Sequence, residues 1–162
     1  MTIRHWIFKS EPSSYSYQDL RRDGIAEWDG VRNFQARNFL RDDIKLGHRV
    51  LFYHSNTEPP AVIGTAIVSR SGYPDHTALD PEAHHGDPRS TVEKPIWYMV
   101  DIKAEEQFRT PVTLSEMRGN PNLENMMLLR KGMRLSVQPV TLEEFLTICT
   151  MGRKTYKTSE SL

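Results

Sequence analysis

Apolar and polar residues alternate in several stretches of the chain. Over residues 3–9 the alternation runs around Trp6 and Phe8 and stops short of Pro12, which predicts a strand that brings Lys9 and Ser10 to a sheet edge. Residues 49–54 and 60–70 predict two more strands joined by a polar turn at 55–59, and Gly64 inside the second marks a bulge or a close backbone approach. Residues 95–108 set Ile96, Tyr98, Val100 and Ile102 against Trp97, Met99, Asp101 and Lys103, the cleanest alternation in the sequence. A last short strand is predicted over 134–137, ended by Pro139.

Helical signals fall between these strands. Ser16 stands three residues before Asp19 and predicts the cap of a short helix reaching Arg22. Trp28, Asp29 and Gly30 form a turn signal, and Asn33 predicts the cap of a helix through Phe34, Phe39 and Leu40 that stops near Gly47. Thr113 with Glu116, and Thr141 with Glu144, have the spacing of capping boxes. In the last helix Leu142, Phe145, Leu146 and Cys149 fall at i, i+3, i+4 and i+7, which predicts one buried stripe. The 71–93 segment is rich in Pro, Gly, His and Asp and reads as a long surface loop. Strands dispersed among short helices, without regular alternation, favour an α+β barrel-like domain over a doubly wound sheet. The expected organisation is one domain over 1–150 and a disordered tail over 151–162.

Composition narrows the function. An apolar fraction of 38% against 26% charged residues in 162 residues is ample for one folded core. The 21 basic and 21 acidic side chains sum to zero, which excludes a domain that coats nucleic acid or anionic membrane by bulk charge. The zero is a sum of unequal parts. Arg32, Arg37, Arg41, Lys45 and Arg49 outnumber Asp42 and Asp43, whereas Asp75, Asp80, Glu82, Asp87 and Glu93 outnumber Arg89. Arg130, Lys131 and Arg134 form one later basic cluster, and Arg153, Lys154 and Lys157 form another. No apolar run approaches the roughly 20 residues of a membrane helix. With no secretory signal at the start and a single cysteine, Cys149, the expectation is a cytoplasmic monomer, or a nuclear one in a eukaryote.

No dinucleotide, phosphate-loop, nucleophile-elbow or paired-cysteine motif is present, so no catalytic residue, cofactor or metal is expected. Cys149 lies on an apolar helix stripe and reads as a structural thiol, and His76, Asp80, His84 and His85 match no metal-ligand spacing. Polar residues at strand ends beside large aromatics are more informative. Lys9 and Ser10 follow Trp6 and Phe8, Asp29 follows Trp28, Ser55 and Asn56 follow Phe52 and Tyr53, and Asp101 shares a face with Trp97. A planar base stacks on such rings and is read along its edge by hydroxyl, amide and carboxylate groups.

Those residues sit in recognisable motifs. WIFKSEP at 6–12, WDGVRNFQARNFLR at 28–41, VLFYHSN at 50–56, GTAIV at 64–68, YPD at 73–75, MVDI at 99–102 and RLSVQPVTLEEF at 134–145 resemble the EVE domain, a PUA-like family. The resemblance implies a mixed β-barrel with peripheral short helices, related to the YTH domain, and non-enzymatic binding of a modified or extruded base in DNA or RNA. By position it puts Lys9 and Ser10 at the pocket wall, Trp28 and Asp29 at the cage entry, and Tyr53, Ser55 and Asn56 on a facing strand. Asn33, Trp97, Asp101 and Gln138 would be neighbours, and Arg32, Arg37 and Arg41 would hold the phosphate backbone. Asp29 and Glu11 stand where YTH pockets carry neutral groups, so recognition of methyladenine is not implied. Two other readings stay open: an ASCH-like hydrolase of a modified nucleoside using Lys9 and Glu11, and a protein-interaction module using the 71–93 loop.

Overall fold

The structure is a computed structural model that describes residues 2–154. The element order is β1 (His5–Ser10), α1 (Tyr17–Asp23), β2 (Ile25–Glu27), α2 (Phe34–Asn38), β3 (Arg49–His54), β4 (Ala61–Pro74), β5 (Tyr98–Thr113), α3 (Leu114–Arg118), β6 (Val137–Val140) and α4 (Leu142–Arg153). The fold is α+β, with one six-stranded mixed sheet in the order β2-β5-β4-β3-β1-β6 and short helices around it. Among the described residues only β1 and β3 pair in parallel. The other pairs are antiparallel.

The central strands are apolar on both faces, which explains their near-continuous apolar runs. Trp6 and Phe8 of β1 and Val50 and Phe52 of β3 point into one cluster with Tyr17, Leu20, Trp28, Leu40 and Val100. The residues between them, Ile7, Leu51 and Tyr53, point into a second cluster with Val112, Met117, Phe145 and Ile148. The two-residue period of the strands thus divides the core into two layers. β2 and β6 are the outermost strands of the sheet, yet β2 and Ser136, just before β6, border the same cleft. The sheet therefore curls into an incomplete barrel.

Several sequence expectations hold to within a residue or two. Ser16, Thr113 and Thr141 each close a reciprocal capping box, and Asn33 Oδ1 accepts from the Ala36 amide at 3.0 Å. A Cβ on Gly64 would lie 2.4 Å from the Glu106 carbonyl oxygen and 2.8 Å from the Tyr17 ring, beside a shift in the β4–β5 register.

Others are corrected. The helix begun at Asn33 changes after Asn38 into a π-helical turn, Phe39–Asp43, closed by Ile44 N–H donating to the Phe39 carbonyl. The loop expected from residue 71 begins later, because β4 runs on to Pro74, and a 3-10 turn, His76–Leu79, follows. Pro139 lies within β6 instead of ending a strand before it, which an edge strand tolerates because one of its sides has no ladder to complete. In α4, Leu142 and Leu146 face solvent, and the buried stripe is Phe145, Ile148, Cys149 and Gly152. The tail expected to be disordered from 151 is helical to Arg153, and 155–162 lie outside the described residues. No helix among the described residues is long and apolar enough to cross a membrane.

Candidate functional site

A cleft of about 700 Å³ opens at the ends of β1 and β2. Its lining comes from the β1 end (Lys9, Ser10, Glu11), Ser14 and Tyr15 ahead of α1, Asp23 at the end of α1, β2, the 28–32 turn, His85 and Ser136. Each segment is held there by backbone pairing. Lys9 N–H donates to the Ser136 carbonyl at 2.9 Å, and Trp28 N–H donates to Val100 at 2.8 Å, prolonging the β2–β5 ladder.

Trp28 is the aromatic wall. Its ring is packed from behind by Phe8 at 5.3 Å and Phe52 at 5.5 Å between centroids, and Tyr15 meets it edge-on at 6.3 Å and 77°. Tyr15 donates its hydroxyl to Asp23 at 2.8 Å, and Ser10 Oγ donates to the Tyr15 carbonyl. Burial, and then the Asp23 hydrogen bond, push the Tyr15 phenol well above its ordinary value, so it acts only as a neutral donor and ring.

Lys9 is half-buried at the cleft wall. Its ammonium donates to the Met133 carbonyl at 3.2 Å, and burial lowers its pKa from the ordinary lysine value. An ammonium has three donors, so two remain for a ligand. Around it stand the carboxylates of Glu11, Asp23, Glu27 and Asp29, which make the cleft wall acidic.

The 28–32 turn is pinned from outside by the segment after β4. Gly30 has φ +78°, and its N–H donates to Asp75 Oδ2 at 2.9 Å. The positive φ favours glycine, and a Cβ there would displace the exposed His85 ring, which it would meet at 2.7 Å. Arg32 donates from Nη1 to Asp75 at 2.9 Å and from Nε to the His85 carbonyl at 2.8 Å, while Nη2 is buried without a partner. Burial pushes the Asp75 carboxyl up, but Thr77, the Gly30 amide and Arg32 together outweigh it and hold its pKa below the ordinary carboxylate value.

Of the residues expected at the site, Lys9, Ser10, Trp28, Asp29 and Arg32 line the cleft. The rest lie elsewhere. Trp97 does not face Trp28 across a base-sized gap: it stacks on Phe34 at 4.8 Å, lies under Arg32 and donates to Asp87 at 2.7 Å. Asp101 accepts from the Tyr73 hydroxyl. Tyr53 is buried in the second core layer, and Asn33 serves as the α2 cap. Gln138 is fully buried and donates to the Leu135 carbonyl at 2.7 Å. Ser55 pairs through its backbone with Ser10, and Asn56 donates to Glu11 at 2.6 Å, so both support the β1 end from behind. Arg37 is held by Asn38 and the Ile96 carbonyl, and Arg41 by Asp42. Neither lines the cleft.

Tyr15, Asp23, Glu27, Val31, His85 and Ser136 line the cleft without having been expected there. Tyr15 had one local signal, an aromatic just ahead of a helix cap; β2 is three residues long and too short to alternate. Among the described residues no group of three or more His, Cys, Asp or Glu side chains converges as a metal site. Lys9 and Glu11 both line the cleft but make no hydrogen bond or ion pair with each other among the described residues: Glu11 accepts from Asn56, and Lys9 donates to the Met133 carbonyl.

The EVE domain family profile matches residues 4–151. Thymocyte nuclear protein 1 of Gallus gallus is 41% identical over 165 residues, covering 90% of this chain and 67% of its own length. A protein from Leishmania major superposes with a TM-score of 0.88 at 44% identity, covering 93% of this chain and 95% of that one. Human THYN1 protein, solved in complex with 5-methylcytosine-containing DNA, superposes with a TM-score of 0.85 at 37% identity, covering 94% of this chain and 99% of that one. An ASCH protein from Zymomonas mobilis shares the fold alone, at 10% identity and a TM-score of 0.51. From the reach of the profile and the identity of these relatives, the chain belongs to the EVE domain family.

Proposed function

We propose that the cleft receives a single modified base of a nucleic acid, with DNA carrying 5-methylcytosine as the first ligand to test, and that it binds the base without turning it over. The observation that carries this reading is the corner formed by Trp28 and Tyr15 beneath a polar rim, in a chain similar to a human protein solved with 5-methylcytosine-containing DNA. A base stacked on Trp28 gains about 1–3 kcal/mol. The exocyclic amine of cytosine is a donor that a carboxylate accepts, and the free N–H groups of Lys9 suit a ring or carbonyl acceptor. A methyl group that fills apolar space beside Val31 or Ala26 adds about 0.8 kcal/mol, roughly fourfold in affinity. That Lys9 and Glu11 are not bonded to each other among the described residues supports binding over hydrolysis.

The test is a fluorescence titration of oligonucleotides that differ only in one cytosine methyl group, with wild type, Tyr15→Ala and Lys9→Met. Tighter binding of the methylated strand, lost in both variants, is expected. Equal affinity for the two strands in the wild type would overturn the reading. Release of a modified base or an altered nucleoside, abolished in Lys9→Met, would favour the hydrolase instead.

A further inference from the structure

The arginines expected to hold a phosphate backbone are already occupied: Arg32 by Asp75 and His85, Arg37 by Ile96, and Arg41 by Asp42. A different set of cations lies on the segment that leads into the cleft residue Ser136. Arg130, Lys131 and Arg134 are exposed, and none makes a side-chain hydrogen bond or ion pair among the described residues. They sit on a tight turn in which Met133 N–H donates to the Arg130 carbonyl at 3.2 Å and Gly132 takes φ +76°. The turn is joined to the cleft wall through Met133, and the chain that leaves it is joined again two residues later at Ser136. Lys9 Nζ bonds the Met133 carbonyl, and Lys9 N–H bonds the carbonyl of Ser136, which lines the cleft. The other flank of the cleft, along α1 and β2, carries Asp23, Glu27 and Asp29.

We propose that the 130–134 turn is the phosphodiester-binding rim of this site, so that a nucleic acid strand approaches over it with its backbone on the β6 side and away from the acidic β2 side. This rests on the base-binding reading of the cleft for its geometry, and on the three unpartnered cations for its chemistry. Five residues reach no more than about 13 Å even when extended, so the turn meets at most about four phosphates at roughly 3.4 Å of axial rise per nucleotide. The zero net charge of the chain leaves this local cluster as the source of backbone attraction beside the cleft, and makes that attraction weak and salt-dependent.

The experiment compares wild type, the triple variant Arg130→Ala, Lys131→Ala, Arg134→Ala, and a control of equal charge loss, Lys45→Ala, Lys94→Ala, Lys154→Ala. Each is titrated with a methylated single-stranded oligonucleotide, its unmethylated twin and free 5-methyldeoxycytidine over a range of salt, with thermal melts to check folding. The rim variant is expected to bind both oligonucleotides at least about tenfold more weakly, with the slope of log K against log salt reduced by about 2, and to bind the nucleoside as wild type does. The control, whose three lysines do not line the cleft, is expected to stay within about twofold of wild type. If methylation makes no difference but the rim variant still loses both oligonucleotides, the base reading fails and the rim stands. Unchanged oligonucleotide binding in the rim variant, an equal loss in the control, or wild-type binding to phosphatidylserine vesicles and to no oligonucleotide would each overturn the rim.

Discussion

Arg32 and Asp75, 43 residues apart in sequence, meet at 2.9 Å between Nη1 and Oδ2 and lock the turn bearing Trp28 to the segment after β4. The Asp75 side chain is wholly buried and that of Arg32 is 20% exposed, so the contact is an internal clasp and not a surface ion pair. It makes Arg32 part of the cleft wall.

Arg32→Ala leaves the Asp75 carboxylate buried with only Thr77 and the Gly30 amide as partners. Removing one member of a buried pair costs about 3–5 kcal/mol, and the lower end applies here because those hydrogen bonds persist. Arg32→Lys restores charge without the fork and is expected to recover only part of the loss. Denaturant midpoints of the three proteins measure this; an Arg32→Ala protein as stable as wild type would refute the clasp.

The fold is expected to lose stability as pH falls below neutrality. His48 Nδ1 accepts from Trp6 Nε1 and from the Lys45 amide, each at 3.2 Å, and His54 Nε2 accepts from the Tyr17 amide at 3.1 Å. Burial lowers both pKa values, and that of His5, from the ordinary 6.5. The unfolded chain therefore binds more protons than the folded one below about pH 6.5, so the stabilisation is complete above that value and declines toward the lower folded-state pKa values. His76, raised by its hydrogen bond to Glu27, acts in the opposite sense but on the surface. Urea midpoints measured from about pH 7.5 down to about pH 5.5 are expected to fall, less steeply in His48→Gln; a flat profile would contradict the assignment.

Gly64→Ala forces a methyl group against the Glu106 carbonyl and the Tyr17 ring. Backbone on one side and a packed aromatic on the other leave no cheap relaxation, so a loss of about 2–3 kcal/mol is expected. Thermal unfolding checks it, with Gly119→Ala, which meets nothing closer than 3.6 Å, as the tolerant comparison.

On α4 the two sides separate cleanly. Leu146 is 49% exposed and Ile148 is fully buried. Leu146→Glu is expected to change stability by no more than about 0.5 kcal/mol, whereas Ile148→Ala costs about 2–5 kcal/mol. Cys149, on the buried side and with its thiol pushed up by burial, is expected to resist a thiol reagent until the protein unfolds. Rapid modification of the native protein would contradict that placement.

Much of the fold is written locally. Capping at Ser16, Asn33, Thr113 and Thr141 depends on side chains reaching backbone amides three residues away, and strands such as β3 carry an apolar run of their own, so short-range patterns determine both. Lys9, Ser10, Trp28 and Asp29 were likewise legible as cleft residues, because each follows or forms an aromatic at a strand end. What the chain alone does not decide is which polar group meets which. Trp97 and Asp101 looked equivalent to Trp28 and Asp29 in sequence, but Phe34, Asp87 and Tyr73, brought in from distant segments, claim them for internal contacts. The cations show the same division: Arg41 is held by its neighbour Asp42, whereas Arg32 and Arg37 are engaged by Asp75 and the Ile96 carbonyl, which only the tertiary structure brings to them. Arg130, Lys131 and Arg134 come to the cleft side of the molecule because β6 pairs antiparallel with β1, which lays the approach to β6 along the end of β1.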